Sequence, residues 1–180
     1  MVFETSIEIS RLQELLDASL NRSTGHLRAI VAPGERTLTA EQLVGVATGM
    51  CTLALATVTR TGEPRISGVD GHLLHGQWVV GTDPSAAKAR HLGARPAVSV
   101  SYMRGEELGV FTHGHARPLN PRDGPEDPWW PETLDYLKGH YGPEGFVWTE
   151  VIFYRIEPTW MVAYCPDPAS IVPAATSQNA

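Results

Sequence analysis

Residues 51–164 break into six short runs rich in β-branched, aromatic and small apolar residues, and nearly every break carries a turn or helix signal. The run 51–59 is followed by Thr61-Gly62 as a turn before 65–72, and His75-Gly76 leads into 77–81. Residues 95–102 and 108–118 alternate in the same way, and a last run starts at 150, continues past Ile156 and extends toward Tyr164. Six antiparallel strands must either protect two sheet edges or close on themselves, and closure removes both edges. The expectation is a mainly β (α+β) chain forming a closed six-stranded antiparallel barrel; an open sheet with helices on one face is the alternative.

Helices fill the gaps. Ile7, Ile9, Leu12, Leu15, Leu16 and Ala18 recur at helical spacing with Ser6 as a candidate cap, predicting an amphipathic helix over 7–20. Residues 24–36 are mixed and punctuated by Gly and Pro, and Thr39 with Gln42 forms a capping-box pattern for a short helix ending near Gly49. The Pro-, Asp- and Gly-rich stretch 118–128 reads as an excursion, followed by a short helix over 131–140. At 180 residues the chain suits one domain. Residues 1–38 are expected to pack on the barrel, 39–165 to form it, and 166–180 to be a flexible tail.

Charge and cysteine content narrow the partners. The formal charge is −6 with no run of Lys or Arg, which argues against nucleic-acid and anionic-membrane binding. Cys51 and Cys165 are the only cysteines and have neither metal nor redox spacing. Neither a signal peptide nor a membrane-length apolar run is evident, so a cytoplasmic protein is expected.

The chemistry concentrates at 81–92, G-T-D-P-S-A-A-K-A-R-H-L, where a strand gives way to a helix. Asp83 suits the cap, Pro84 the first helical position, and Ala86, Ala87, Ala89 and Leu92 continue the helix. Free N–H groups of a first helical turn favour an anion, and the Thr82 and Ser85 hydroxyls with the Lys88 ammonium would complete a phosphate cradle after Gly81. The same residue types also cap ordinary helices. The segment is neither a Walker loop nor G-x-G-x-x-G.

The ordered set L-A-T-V-T-R-T-G-E-P-R-I (55–66), W-V-V-G-T-D-P-S-A-A-K-A-R-H-L (78–92), R-P-A-V-S-V-S-Y (95–102) and G-H-A (114–116) resembles the pyridoxamine 5′-phosphate oxidase-like FMN-binding split-barrel family. That resemblance implies a six-stranded split β-barrel of Greek-key type and a homodimer with cofactor sites at the interface. It implies FMN or the deazaflavin F420 as cofactor, with heme in some members. Arg65 matches the arginine that reaches the phosphate, and Ile66, Ser67, Gly68 and Val69 match the strand lying along the isoalloxazine ring. Thr82 and Lys88 match the threonine and lysine of the phosphate segment. The implied activity is that of a flavoprotein oxidoreductase acting on a small organic substrate, in which the ring carries hydride and no side chain need be the catalyst.

The departures restrict the activity. Where the family's pyridoxal-forming oxidases have a lysine facing the reduced ring, this chain has Asp70, whose carboxylate opposes that charge. Ala86-Ala87 replaces Ser-Arg before the lysine, and the C-terminal Arg-x-His substrate motif is missing. Oxidation of pyridoxamine phosphate is therefore not expected, and a non-catalytic protein that sequesters or senses flavin or heme is the alternative. A third reading is a dimeric scaffold with no cofactor.

Three further sets of residues stand out. His113 and His115 lie at i, i+2 and could line a pocket or, with a third ligand, a metal; no metal site is expected. His72 and His75 flank a turn and read as surface groups. Trp129, Trp130, Trp148, Tyr136 and Tyr141 would either anchor the excursion or form a substrate lid, and Trp160 and Tyr164 are wall candidates.

Overall fold

The computed structural model describes residues 3–142, 144 and 150–171. Helices α1 (Ser6–Asn21), α2 (Gly25–Val31) and α3 (Ala40–Val46) precede strands β1 (Cys51–Val58), β2 (Pro64–Leu74) and β3 (Gln77–Thr82). Helix α4 (Ala87–Ala94) leads to β4 (Ala97–Arg104) and β5 (Leu108–Pro118). Then come α5 (Trp130–Tyr141), β6 (Ile152–Tyr164) and the single turn α6 (Pro168–Ile171). The strands close in the order β1-β2-β3-β6-β5-β4, all neighbours antiparallel, so the open-sheet alternative is excluded.

The hairpins form where the turn chemistry predicts. Gly62 has φ 86°, and His75 and Gly76 adopt φ 53° and 70°, two successive left-handed residues as a type I′ connection requires. Inside the barrel, alternate residues of β1 (Cys51, Leu53, Leu55 and Thr57) are buried, and the first three meet Val69, Val98, Val100 and Val110 in one core. Trp78 is fully buried there, and its indole N–H donates to the Thr112 hydroxyl at 3.2 Å, so the largest core side chain leaves no donor unpaired. At the β5–β6 bulge Gly114 has no room for a side chain: a Cβ would stand 2.1 Å from the Glu157 carbonyl oxygen.

Helix α1 begins one residue earlier than its apolar spacing predicts, capped by Thr5 rather than Ser6. Thr5 and Glu8 form a reciprocal capping box, and Ser6 lies inside the first turn. Leu12 and Leu16 join the barrel core, and the buried Ser19 hydroxyl accepts from the Met161 N–H at 2.9 Å, fixing α1 on β6. Residues 24–36 are not wholly irregular, because Thr24 caps α2. The Thr39/Gln42 box starts α3 as expected, although that helix stops at Val46.

The excursion after β5 is pinned to the outside of the barrel. Leu119, Trp130 and Leu137 pack on Leu74, Val79 and Phe153 in a second apolar cluster. Arg155 binds Asp127 at 3.0 Å and Glu157 at 2.7 Å while lying over the Trp129 ring. These aromatic residues therefore anchor the excursion; Trp148 lies outside the described residues, as do 172–180 of the expected tail. Among the described residues no helix is long and apolar enough to cross a membrane.

Candidate functional site

The strand-to-helix junction differs from its sequence reading in one respect. Helix α4 starts at Ala87, not near Pro84, because Asp83 closes a tight turn first: its Oδ1 accepts both the N–H and the hydroxyl of Ser85 at 2.6 Å. Those bonds hold the Asp83 carboxyl below its ordinary value. Ala86 thus occupies the N-cap and supplies no side-chain bond, leaving the first turn of α4 without a capping side chain. Lys88 sits in that turn, half-buried and without an ion pair among the described residues.

Helix α4 is tied to β1 by His91, whose Nδ1 lies 3.0 Å from the Thr57 hydroxyl, and by Arg95, which donates to the Val58 carbonyl. Thr57 pairs with Arg65 across the β1–β2 ladder. Lys88 is one helical turn from His91, so Arg65 and Lys88 flank the same end of the barrel. Arg65 is exposed and engages Glu63 at 2.8 Å.

Along β2 the side chains alternate. Ser67 and Val69 face the core residues Leu55 and Leu53, while Ile66 and Gly68 stand on the outer face beside Ala56 and Ala54. Ile66 is 75% exposed, and a Cβ at Gly68 would meet nothing within 4 Å. Ile66 and Gly68 therefore share the open outer face, and Ser67 and Val69 the inner one.

Where β2 passes Asp70, the outer face becomes roofed by α5. A cavity of about 210 Å³ lies there, lined by Asp70, His72, Gly81, Thr82, Tyr141 and Phe153 among others. Gly81 is required by its cross-strand partner: a Cβ would come within 2.8 Å of the Phe153 ring. Thr82 is 8% exposed, with its hydroxyl nearest the Asp83 carbonyl at 3.5 Å. The site residues expected from sequence thus fall in two neighbouring places, Gly81 and Thr82 on the cavity, and Arg65 and Lys88 at the barrel end.

His72 and His75 are not surface groups. His72 is 3% exposed, with Nε2 2.8 Å from the Tyr141 hydroxyl and Nδ1 3.3 Å from that of Tyr136. Burial, then the nearby His140, pulls its pKa down to about 4, so His72 is neutral at neutral pH. Burial and then the charge of Asp70 push Tyr141 up to about 12. The sequence carried only a partial signal for this cluster, Tyr136 and His140 one helical turn apart; the covering of β2 on both faces over 71–74 is a product of tertiary packing. His75 sits against Glu8 at 2.6 Å and the Trp129 ring, linking α1, the β2–β3 turn and the excursion.

His113 and His115 point outward from β5. His113 stacks on Trp160 and its Nδ1 lies 2.8 Å from the Ser99 hydroxyl, in a shallow cleft that also contains His115. Among the described residues no group of three or more His, Cys, Asp or Glu could hold a metal ion. Trp160 and Tyr164 pack near Leu20, Val31 and Val162 and do not line the α5 cavity.

No protein-family model matches the sequence, and no curated protein is significantly similar to it. Solved structures do share its fold. A FAD-binding protein from Mesorhizobium loti is 20% identical, with a TM-score of 0.53 over 71% of this chain and 93% of its own. A Listeria innocua protein provisionally named a pyridoxamine 5′-phosphate oxidase is 12% identical, with a TM-score of 0.53 over 68% and 95%. The heme storage protein HutZ of Vibrio cholerae is 18% identical, with a TM-score of 0.52 over 63% and 84%. The fold is the closed six-stranded antiparallel barrel with flanking helices that these structures share. At these identities the likeness establishes architecture alone, and the three proteins carry different functional names.

Proposed function

We propose that this chain is a homodimeric flavin-type protein that holds FMN, or the deazaflavin F420, between β2 and the start of α4. In this reading it acts as an oxidoreductase on a small organic substrate in the cytoplasm. One observation carries the reading: the uncapped first turn of α4, with an unpaired Lys88, flanks the same barrel end as Arg65, beside an outer strand face that Gly68 leaves open. The residues fit a phosphate-tethered ring. Lys88 and the α4 amides would hold the phosphate, with Arg65 joining them on release from Glu63, while Thr82 lies on the neighbouring α5 cavity. Ile66 and Gly68 would support the ring, with Ser67 and Val69 packing behind them. Ser85 would contribute its hydroxyl only by giving up Asp83.

When bound, such a cofactor supplies hydride or electron-pair transfer, and the protein supplies anchoring, placement and exclusion of water. The homodimer finds support in the outer face of β2-β1-β4-β5, where Ile66, Met103 and Phe111 are exposed among small residues such as Ala54, Gly68 and Ser101. A second reading, non-catalytic binding of flavin or heme, is favoured by Asp70. Its carboxylate lies on the outer face just past the ring position, has no ion pair among the described residues, and opposes the negative charge of a reduced flavin.

The test is the visible spectrum and the mass of released cofactor after separate reconstitution with FMN, F420 and hemin. Failure to take up any of the three defeats both readings; uptake of a ring that no nicotinamide or deazaflavin donor can reduce favours the binder. Arg65→Ala with Lys88→Ala should weaken FMN by about 1.5–3 kcal/mol per lost charge-assisted bond. Unchanged affinity in that pair would move the phosphate elsewhere.

A further inference from the structure

We propose that the cavity between α5 and the outer face of β2-β3-β6 binds a small organic cation, a single-ring amine whose ring lies on the apolar wall and whose ammonium meets Asp70. The cavity comes first in this argument. At about 210 Å³ it accommodates one ring with a short substituent, and Val79, Leu137 and Phe153 give that ring an apolar wall. Its polar groups are one-sided in charge. Asp70 and Asp83 are the lining carboxylates, and among the described residues no Lys or Arg lines the cavity; Arg122 acts on Asp83 from outside the lining.

The remaining polar side chains of the lining are the Thr82 hydroxyl, the His72 imidazole and the Tyr141 phenol. The Tyr141 hydroxyl is held against His72 at 2.8 Å, and a neutral imidazole and a protonated phenol add no positive charge to compete with a cation. A carboxylate-bearing ligand would meet Asp70 and Asp83 as like charges, so the same site rejects anions.

The inference rests on the proposed cofactor site only for its role, which is to make this the substrate pocket at the end of the ring. Binding selectivity does not depend on that site. The experiment is a ligand-observed NMR titration at pH 7 of benzylamine, benzyl alcohol and benzoate, using the protein both as purified and after FMN reconstitution. The expected order is benzylamine, then benzyl alcohol, then benzoate. Asp70→Asn should lower benzylamine affinity about ten-fold and leave benzyl alcohol unchanged, while Leu137→Phe, which fills the cavity, should weaken both. Asp70 is exposed, so an unchanged melting curve certifies that variant as folded.

Absence of benzylamine binding overturns the inference, as does equal affinity for the three probes or amine affinity unmoved in folded Asp70→Asn. FMN uptake without amine selectivity would leave the flavin reading and remove this one. Amine selectivity without uptake of FMN, F420 or hemin would keep this inference and remove the cofactor readings.

Discussion

Strand β2 passes through two environments. Over its first half, the outer residues Ile66, Gly68 and Asp70 are exposed and the neighbouring strands present alanines and serines. From Gly71 to Leu74 every residue is buried, because α5 and its apolar cluster cover the outer face. The covered half is held by the chain's own side chains around the α5 cavity: Gly81 makes room for Phe153, and His72 meets two tyrosines. On the open half, added bulk at Gly68 would meet only solvent. One strand is thus built partly for the chain's own core and partly for a partner or ligand, and the two halves should respond differently to substitution.

The covered half should show the largest effects. Leu137 is 1% exposed at the centre of the second apolar cluster, so Leu137→Ala should cost about 2–5 kcal/mol in urea unfolding. A cost below about 1 kcal/mol would mean that α5 is a loose cover and would erase the contrast. Acid should expose the same region next. His72 has a folded pKa of about 4 against an ordinary 6.5, so between those values the unfolded chain binds more protons and stability falls as pH falls. The loss from pH 6.5 to 4 should be on the order of 3 kcal/mol, since each unit is worth about 1.4 kcal/mol. It should be missing from His72→Phe, and so appear in full as the difference between the parent and variant profiles in paired denaturation series. Parallel acid profiles for the two proteins would show that His72 is not held neutral.

The open half should barely affect folding and instead govern association. Ile66→Asp should leave the monomer's unfolding free energy within about 0.5 kcal/mol. It should weaken the proposed dimer by about 2 kcal/mol or more, read by sedimentation equilibrium. A dimer unaffected by that charge would place its interface on another face.

The two halves were unequally legible in the sequence. Strand positions and hairpins could be read because alternation and the Thr61-Gly62 and His75-Gly76 turns are local signals. Two other features were not local. The start of α4 moved because Asp83 bonded Ser85 instead of capping the helix, a choice between two arrangements with equal claims in sequence. The burial of His72 depends on tyrosines more than sixty residues away, and strand periodicity alone does not say which polar residues a later helix will cover. The candidate phosphate residues stood out as residue types, whereas the α5 cavity beside them is a product of tertiary packing.

The smallest effect bears most directly on the open half. Arg65 is held by Glu63 in an ion pair whose side chains are both more than half exposed, so its contribution to folding is within about 0.5 kcal/mol. Glu63→Gln should therefore leave the melting temperature nearly unchanged. If Arg65 is a phosphate ligand, Glu63 competes with that phosphate, and neutralising it should tighten FMN by a few-fold, about 0.5–1 kcal/mol, in a fluorescence-quenching titration. The gain should vanish in the Arg65→Ala background, because there the carboxylate has no guanidinium to withhold. A gain that persists without Arg65 would come from general electrostatics, and no gain in either background would leave Arg65 as an ordinary strand-end charge.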